Sequence, residues 1–175
     1  MEQFSELARN RRSHRKFTDE RVTEEQLQVL LDAALMAPTS KGMHSYSFCV
    51  VENAATLAAL SQCKSMGSQF LSDAPCAIVV MAEPEISDVW IEDASVAATM
   101  LLLSAENCDL GACWVQIRER LQEDGSPASL AVRELLHLTP EQEPLCIVAI
   151  GKKAQDVPPH TEEDLRWERL IIHEN

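Results

Sequence analysis

Four short apolar segments, separated by helical patterns, limit the folds open to this chain. They lie at 46–52, 74–82, 112–117 and 144–151. Each has the length of a strand, and 74–82 has the β-branched content of a buried one. Helices that alternate with strands predict an α/β or α+β chain with about four strands in one sheet. The pattern leaves the order of the strands open.

The helix before the first strand is predicted from its ends as well as its periodicity. Thr23 can act as N-cap, and Gln26 three residues later completes a capping box. Pro38 cannot continue a helix, so we expect the helix to run from Glu24 to about Met36.

The longest helical pattern lies within 88–110, and we expect Gly111 to be its C′ residue. This helix is apolar on more than one face, which is typical of a core or a subunit interface. Pro127 is expected at the N1 position of a later helix that ends near Leu138. Two shorter helices are predicted at 3–10 and 54–62.

The size of the chain is that of a single domain. Its 175 residues, 46% apolar and 25% charged, are enough for a hydrophobic core. No apolar run reaches the roughly 18–20 residues that span a bilayer, and the N-terminal residues lack the apolar stretch of a secretory signal. We therefore expect a cytoplasmic protein with no membrane partner.

Six cysteines are scattered along the chain without a Cys-x-x-Cys pair. This spacing disfavours a zinc site or a disulfide framework, so we expect no metal and reduced, mostly buried thiols. The cysteines are Cys49, Cys63, Cys76, Cys108, Cys113 and Cys146.

A basic segment contrasts with the rest of the chain. Positions 9–16 hold five of the fifteen Lys and Arg residues in a chain of net charge −13. The field of so acidic a molecule repels polyanions, which argues against a nucleic-acid partner. Arg11, Arg12, Ser13 and Arg15 offer bidentate and hydroxyl donors suited to a phosphate. The alternative is a solvated basic end that offsets the dipole of the preceding helix.

Two further segments could contact a ligand. Residues 38–42 form a turn with hydroxyl and backbone donors, and 110–117 is a small, apolar strand that could present N–H groups to a flat molecule. An ordinary connection and a core strand are the alternatives. Nucleotide-loop, nucleophile-elbow and zinc-protease motifs are missing from the sequence. Any redox or transfer chemistry is therefore expected to come from a cofactor.

Taken in order, these segments resemble the nitroreductase family of FMN-dependent oxidoreductases. That family has Arg-Arg-Ser-x-Arg-x-Phe near its N-terminus, matched by RRSHRKF, and an Ala-Pro-Ser turn, matched by APTS. The further matches are an apolar strand at 74–80, a helix ending in Leu-Gly-x-Cys-Trp at 110–114, and a final strand ending at 150–151. The short length resembles the small single-domain members.

The resemblance implies an α+β fold, with a mainly antiparallel central sheet flanked by helices. It also implies a single domain over 1–175 and a homodimer in which residues 152–175 form an arm around the other subunit. FMN would bind between the subunits, and NADH or NADPH would reduce it.

The resemblance also implies a set of cofactor contacts and no catalytic side chain beyond them. Arg11 and Ser13 would hold the phosphate with Arg12 nearby, and Arg15 would lie near flavin N1 and O2. The N–H of Gln116 would face flavin N5, and Lys152 or Lys153 would add phosphate contacts. The other expected cofactor residues are Pro38, Thr39, Ser40, Gly42, His44, Trp114 and Val115.

Several positions depart from the family pattern. Gly42 and His44 stand where the family usually has amides, and Gln116-Ile117 replaces a Gly or Glu-Gly. We expect an NAD(P)H oxidoreductase that reduces nitroaromatic or quinone-type acceptors by ping-pong hydride transfer through flavin N5. The departures leave one alternative, a flavin-binding sensor or storage protein without turnover. A nucleic-acid or acidic-protein binder using Arg9–Lys16 is a separate alternative, which the net charge disfavours.

Overall fold

The structure, a computed structural model, describes residues 2–173. Five helices and four strands alternate along the chain: α1 (Glu2–Asn10), α2 (Glu24–Leu35), β1 (Tyr46–Val51), α3 (Ala54–Leu60), β2 (Cys76–Ala82), α4 (Trp90–Asn107), β3 (Leu110–Gln116), α5 (Ala128–Leu135) and β4 (Glu143–Lys152). Short 3₁₀ turns lie at Ser40–Gly42, Gln69–Asp73, Glu162–Asp164 and Trp167–Arg169. The four predicted strands are all confirmed.

The strands form one antiparallel sheet in the order β1-β2-β4-β3. This arrangement confirms the α+β class and supplies the strand order that the sequence left open. β1 and β3 are the two edge strands, so three spacings of about 4.8 Å place them roughly 14 Å apart.

Helices cover both faces of the sheet, which explains why the central strands are apolar throughout. Along β2, Ile78 and Val80 join the core beneath α2 and α4, whereas Ala77 and Val79 join the core beneath α3 and α5. Successive side chains of a strand point to opposite faces, so both sets are buried.

The ends of α2 form as its sequence predicts. The Thr23 side chain accepts from the Gln26 N–H, and the Gln26 side chain accepts from the Thr23 N–H. Within residues 2–173, no helix is both long and apolar enough to cross a membrane.

Two helix-end predictions are wrong. Gly111 is not the C′ residue of α4; Asp109 takes the positive φ of 55° after the helix, and Gly111 lies inside β3. Pro127 precedes α5 instead of occupying N1, and α5 ends at Leu135 rather than near Leu138. A tertiary contact explains the position of Gly111, because another segment of the chain packs closely against β3 at this residue.

Candidate functional site

The basic segment lies along the outer edge of β3. Ser13 pairs with Ala112 as a short parallel bridge, and the His14 N–H donates to the Ala112 carbonyl at 3.0 Å. The segment that follows α1 therefore continues the sheet beyond its edge strand. This pairing places the residues predicted for phosphate binding beside the strand predicted to face a flat ligand.

This close approach depends on Gly111 and His14. A Cβ added at Gly111 would lie 2.8 Å from the His14 Cβ, so any side chain there would push the segment away. His14 is buried with 3% exposure, and burial lowers its pKa, with Lys153 acting in the same direction. His14 is thus a packing residue that attaches the basic segment to β3.

Alternate residues of the segment act on the Cys113 thiol. Burial raises the pKa of this thiol, and Arg15, the Ser13 hydroxyl, Lys64 and Arg11 oppose that rise. Residues two apart in an extended chain share a side, which explains why Arg11, Ser13 and Arg15 lie together. The structure therefore brings three of the predicted phosphate and flavin residues to one place.

Arg12 points elsewhere. Its guanidinium donates to the carbonyl of Pro158. Arg9 pairs with Glu162, and its carbonyl accepts from the His160 N–H at 2.9 Å. Arg9 and Arg12 thus hold the beginning of the C-terminal tail.

The turn at 38–42 lies at the other edge of the sheet. It leads into β1, and positive φ angles at Lys41, Gly42 and His44 give it a tight path. The Ser40 N–H donates at 2.9 Å to Asp93, a carboxylate with 5% exposure that also accepts from Ser87. Within one chain, the structure does not bring this turn to the basic segment.

The outer edge of β3 also presents backbone donors. The Ile117 N–H donates to Leu145 of the β4 segment, whereas the Ala112 carbonyl faces the basic segment. Alternation along an antiparallel strand therefore directs the N–H groups of Trp114 and Gln116 outward. The predicted N–H of Gln116 is on the edge where a ligand held by Arg11 and Ser13 could reach it.

The side chain of Gln116 is held on both sides. The Trp114 indole N–H donates to its Oε1 at 2.8 Å, and its Nε2 donates to the Arg118 carbonyl at 2.9 Å. The residue that departs from the family pattern is therefore part of an ordered network at the end of β3.

Sequence reasoning missed two residues of this region. Lys64 is half-buried, and its Nζ donates to the Gln116 carbonyl at 3.0 Å. Asp93 supports the turn at 38–42 from within α4. Neither belongs to a motif, because each acts on a backbone group more than fifty positions away.

The sequence of this chain is similar to those of known proteins. The family model described as "Nitroreductase: Nitroreductase family" matches residues 8–65 and 58–152. The chain belongs to the nitroreductase family. An Archaeoglobus fulgidus protein, named as a candidate NADH dehydrogenase/NAD(P)H nitroreductase, is 30% identical over 99% of this chain and 98% of its own length.

Solved nitroreductase structures have the same fold. An FMN-dependent nitroreductase from Clostridium difficile is 39% identical, with a TM-score of 0.94 over 97% of this chain and 98% of that chain. A Desulfovibrio desulfuricans family structure in complex with FMN has a TM-score of 0.78 over 98% of this chain and 96% of that chain. At 23% identity, it shows the fold alone.

The two lysines predicted to contact phosphate in this nitroreductase-family chain form ion pairs. Lys152 pairs with Glu20 at 2.8 Å, and Lys153 pairs with Glu106 at 3.0 Å and with Asp109 at 3.2 Å. A contact with phosphate requires either lysine to exchange a carboxylate for it, so this contact stays a prediction.

The residues at the β3 edge fit an anionic, planar cofactor. Arg11 and Arg15 form no ion pair within the described residues, and the Ser13 hydroxyl lies between them in sequence. Guanidinium and hydroxyl donors match phosphate oxygens, and the outward N–H of Gln116 can donate to a ring nitrogen. This donor set is the chemistry that FMN requires.

Proposed function

We propose that this chain binds FMN along the outer edge of β3 and transfers hydride from NADH or NADPH to a small planar acceptor of the nitroaromatic or quinone type. The observation that carries the proposal is the pairing of Ser13 with Ala112, which sets Arg11, Ser13 and Arg15 along the β3 edge that also carries the outward N–H of Gln116. Family membership supports the oxidoreductase class.

The chain's own residues would bind and orient the cofactor. Arg11 and Ser13 would hold its phosphate, and Arg15 would stabilise the negative charge that the ring gains on reduction. Bound FMN supplies the hydride chemistry at its N5 atom. The nicotinamide and the acceptor would use the same exposed face in turn, which predicts ping-pong kinetics.

The proposed site also requires a second copy of the chain. Pro38, Thr39 and Ser40 lie at the β1 edge, and the basic segment lies beyond β3, so four spacings of about 4.8 Å separate them by roughly 19 Å. In a homodimer, the turn of one subunit could reach the site of the other. This arrangement accounts for a turn with hydroxyl donors at the edge far from Arg11.

The surface of a single chain supports dimerisation. α1, α2 and α4 border an apolar groove of about 470 Å³, and Phe4 and Met36 on its rim are 65% and 72% exposed. The tail carries Trp167, Ile171 and Ile172, which are 65%, 91% and 71% exposed. Contiguous exposed apolar side chains mark interaction sites, so we propose that the groove packs against its copy and that the part of the 152–175 tail beyond Glu162 is the embracing arm.

The first experiment is an absorption spectrum of the purified protein, followed by anaerobic titration with NADH and NADPH. We expect a yellow protein that either nucleotide bleaches. The Arg15→Ala variant should bind or reduce FMN less well, and Lys16→Ala provides a charge-matched control. A colourless protein that also ignores added FMN would overturn the proposal.

The homodimer is tested by light scattering on the full chain and on a chain ending at residue 160. We expect the full chain to have twice the monomer mass and the shortened chain to dissociate at higher concentration and to bind FMN more weakly. A full-length monomer that binds FMN normally would contradict the shared site.

A flavin-binding protein without turnover is the second candidate. It is favoured by the network that fixes Gln116 through Trp114 and Arg118, where the family usually has Gly or Glu-Gly. Bound FMN that neither nicotinamide nucleotide reduces would select this alternative.

A further inference from the structure

Lys64 is held rigidly at the end of the proposed site. It follows Cys63, which is buried with 4% exposure, and the next residue, Ser65, donates its N–H to the Leu121 carbonyl at 3.0 Å. The backbone on both sides of Lys64 is therefore anchored. Its Nζ donates to the Gln116 carbonyl at 3.0 Å.

This contact places the ammonium on the edge of β3 that faces outward. The N–H and C=O of one residue in an antiparallel strand point to the same side. Since Lys64 binds the Gln116 carbonyl, it lies on the same side as the Gln116 N–H. Lys64 consequently fixes the peptide that the proposed site offers to the flavin ring.

No carboxylate contacts Lys64 directly within the described residues, although Glu123 and Asp124 line the same cavity as Lys64. Burial lowers the pKa of Lys64, and Arg120 lowers it further, while the thiols of Cys63 and Cys113 act in the opposite direction. The chain has a net charge of −13, whereas Lys64 is a half-buried cation. Such a cation stabilises a neighbouring group that gains negative charge.

We infer that Lys64 is a positioning residue of the cofactor site, which orients the Gln116 peptide and favours the reduced form of bound FMN through its charge. The inference rests on the proposed function and extends it to a residue outside every recognised motif. It assigns Lys64 a role separate from that of Arg15, whose guanidinium carbon lies 5.9 Å from the centre of the Phe70 ring.

The test measures the midpoint potential of bound FMN and the dissociation constant of oxidised FMN. Lys64→Met keeps the length of the side chain but removes the charge and the donor. We expect it to bind oxidised FMN within threefold of the wild type and reduced FMN about tenfold more weakly. For a two-electron couple, that change corresponds to a potential lower by about 30 mV.

Two further variants separate the effect of the Lys64 charge from the effect of its hydrogen bond to Gln116. Lys64→Arg keeps both the charge and a donor, so it should restore the potential. Lys64→Gln keeps a donor without the charge, so it should behave like Lys64→Met in potential, and it replaces that variant if Lys64→Met does not fold. Lys16→Met removes an exposed charge of the basic segment and should leave the potential unchanged.

The outcomes distinguish this inference from the proposed function. An unchanged potential in Lys64→Met and Lys64→Gln, with wild-type protein that binds FMN, would overturn the role of Lys64 alone. Restoration by Lys64→Gln would show a purely structural hydrogen bond and would also overturn it. A wild-type protein that does not bind FMN would remove both the inference and the function on which it rests.

Discussion

Two groups of cations in this chain differ in what surrounds them. Arg11, Arg15 and Lys64 approach one edge of β3 and have no ion pair among the described residues. Lys152 and Lys153, at the end of the neighbouring strand, are held by Glu20, Glu106 and Asp109. A cation without an ion pair can bind an anion without first releasing a carboxylate. We therefore expect ion pairing, more than position in a motif, to separate the residues that bind the cofactor from those that support the fold.

The same difference divides the basic segment itself. Arg11 and Arg15 face the β3 edge, whereas Arg9 and Arg12 bind Glu162 and the Pro158 carbonyl. Because the segment is extended, neighbouring residues point to opposite sides. The basic segment therefore contributes both to the proposed site and to the contact with the C-terminal tail.

The largest expected effect is that of Arg11→Ala. The loss of a charge-assisted hydrogen bond to phosphate is worth about 1.5–3 kcal/mol, or roughly 10–100-fold in affinity. Fluorescence titration with FMN measures it. Arg9→Ala is the matched control and should change affinity by less than about threefold. Equal losses of FMN affinity in both variants would contradict the division of the segment into residues that face the proposed site and residues that bind the tail.

Gly111→Ala tests the contact that attaches the basic segment to β3. The new Cβ would meet His14, and overpacking of this kind costs about 1–3 kcal/mol. We expect a lower free energy of unfolding in urea together with weaker FMN binding. Gly151→Ala, whose Cβ would meet Pro75 at 2.6 Å, should lower stability with a smaller effect on binding. Unchanged stability in Gly111→Ala would show that the segment can move at no cost.

Asp93→Asn extends the comparison to a buried carboxylate that forms no ion pair within residues 2–173. Asn keeps an acceptor for the Ser40 N–H, so only the charge-assisted part of the hydrogen bond is lost, about 1 kcal/mol. We expect a small loss of stability and FMN affinity reduced by a few fold. Asp88→Asn, an exposed change nearby, should alter neither quantity. If Asp93→Asn equals wild type in both, the support of the 38–42 turn does not depend on this charge.

The smallest effect is expected for Lys153→Met. Its ammonium must leave Glu106 and Asp109 to contact phosphate, so FMN affinity should fall by less than about threefold. The same titration measures it, with Lys152→Met in parallel. A tenfold loss of FMN affinity would group Lys153 with the unpaired cations and contradict the distinction based on ion pairing.

Much of the fold and part of the site could be predicted from local patterns. The strands, the capping box of α2 and the grouping of Arg11, Ser13 and Arg15 depend on residues that are close in sequence. Lys64 and Asp93 could not be found in this way. Each binds the backbone of a residue brought near only by the fold.

The sequence by itself determined which segments become strands and helices, because burial on one or both faces imposes a periodicity that can be read directly. Only the tertiary structure decided that Gly111 allows the close approach of His14, that the 38–42 turn lies at the far edge of the sheet, and that Arg12 faces the tail. The physical reason is strand pairing: parallel and antiparallel pairing bring distant segments together through backbone hydrogen bonds, which leave little trace in the identity of the residues that form them.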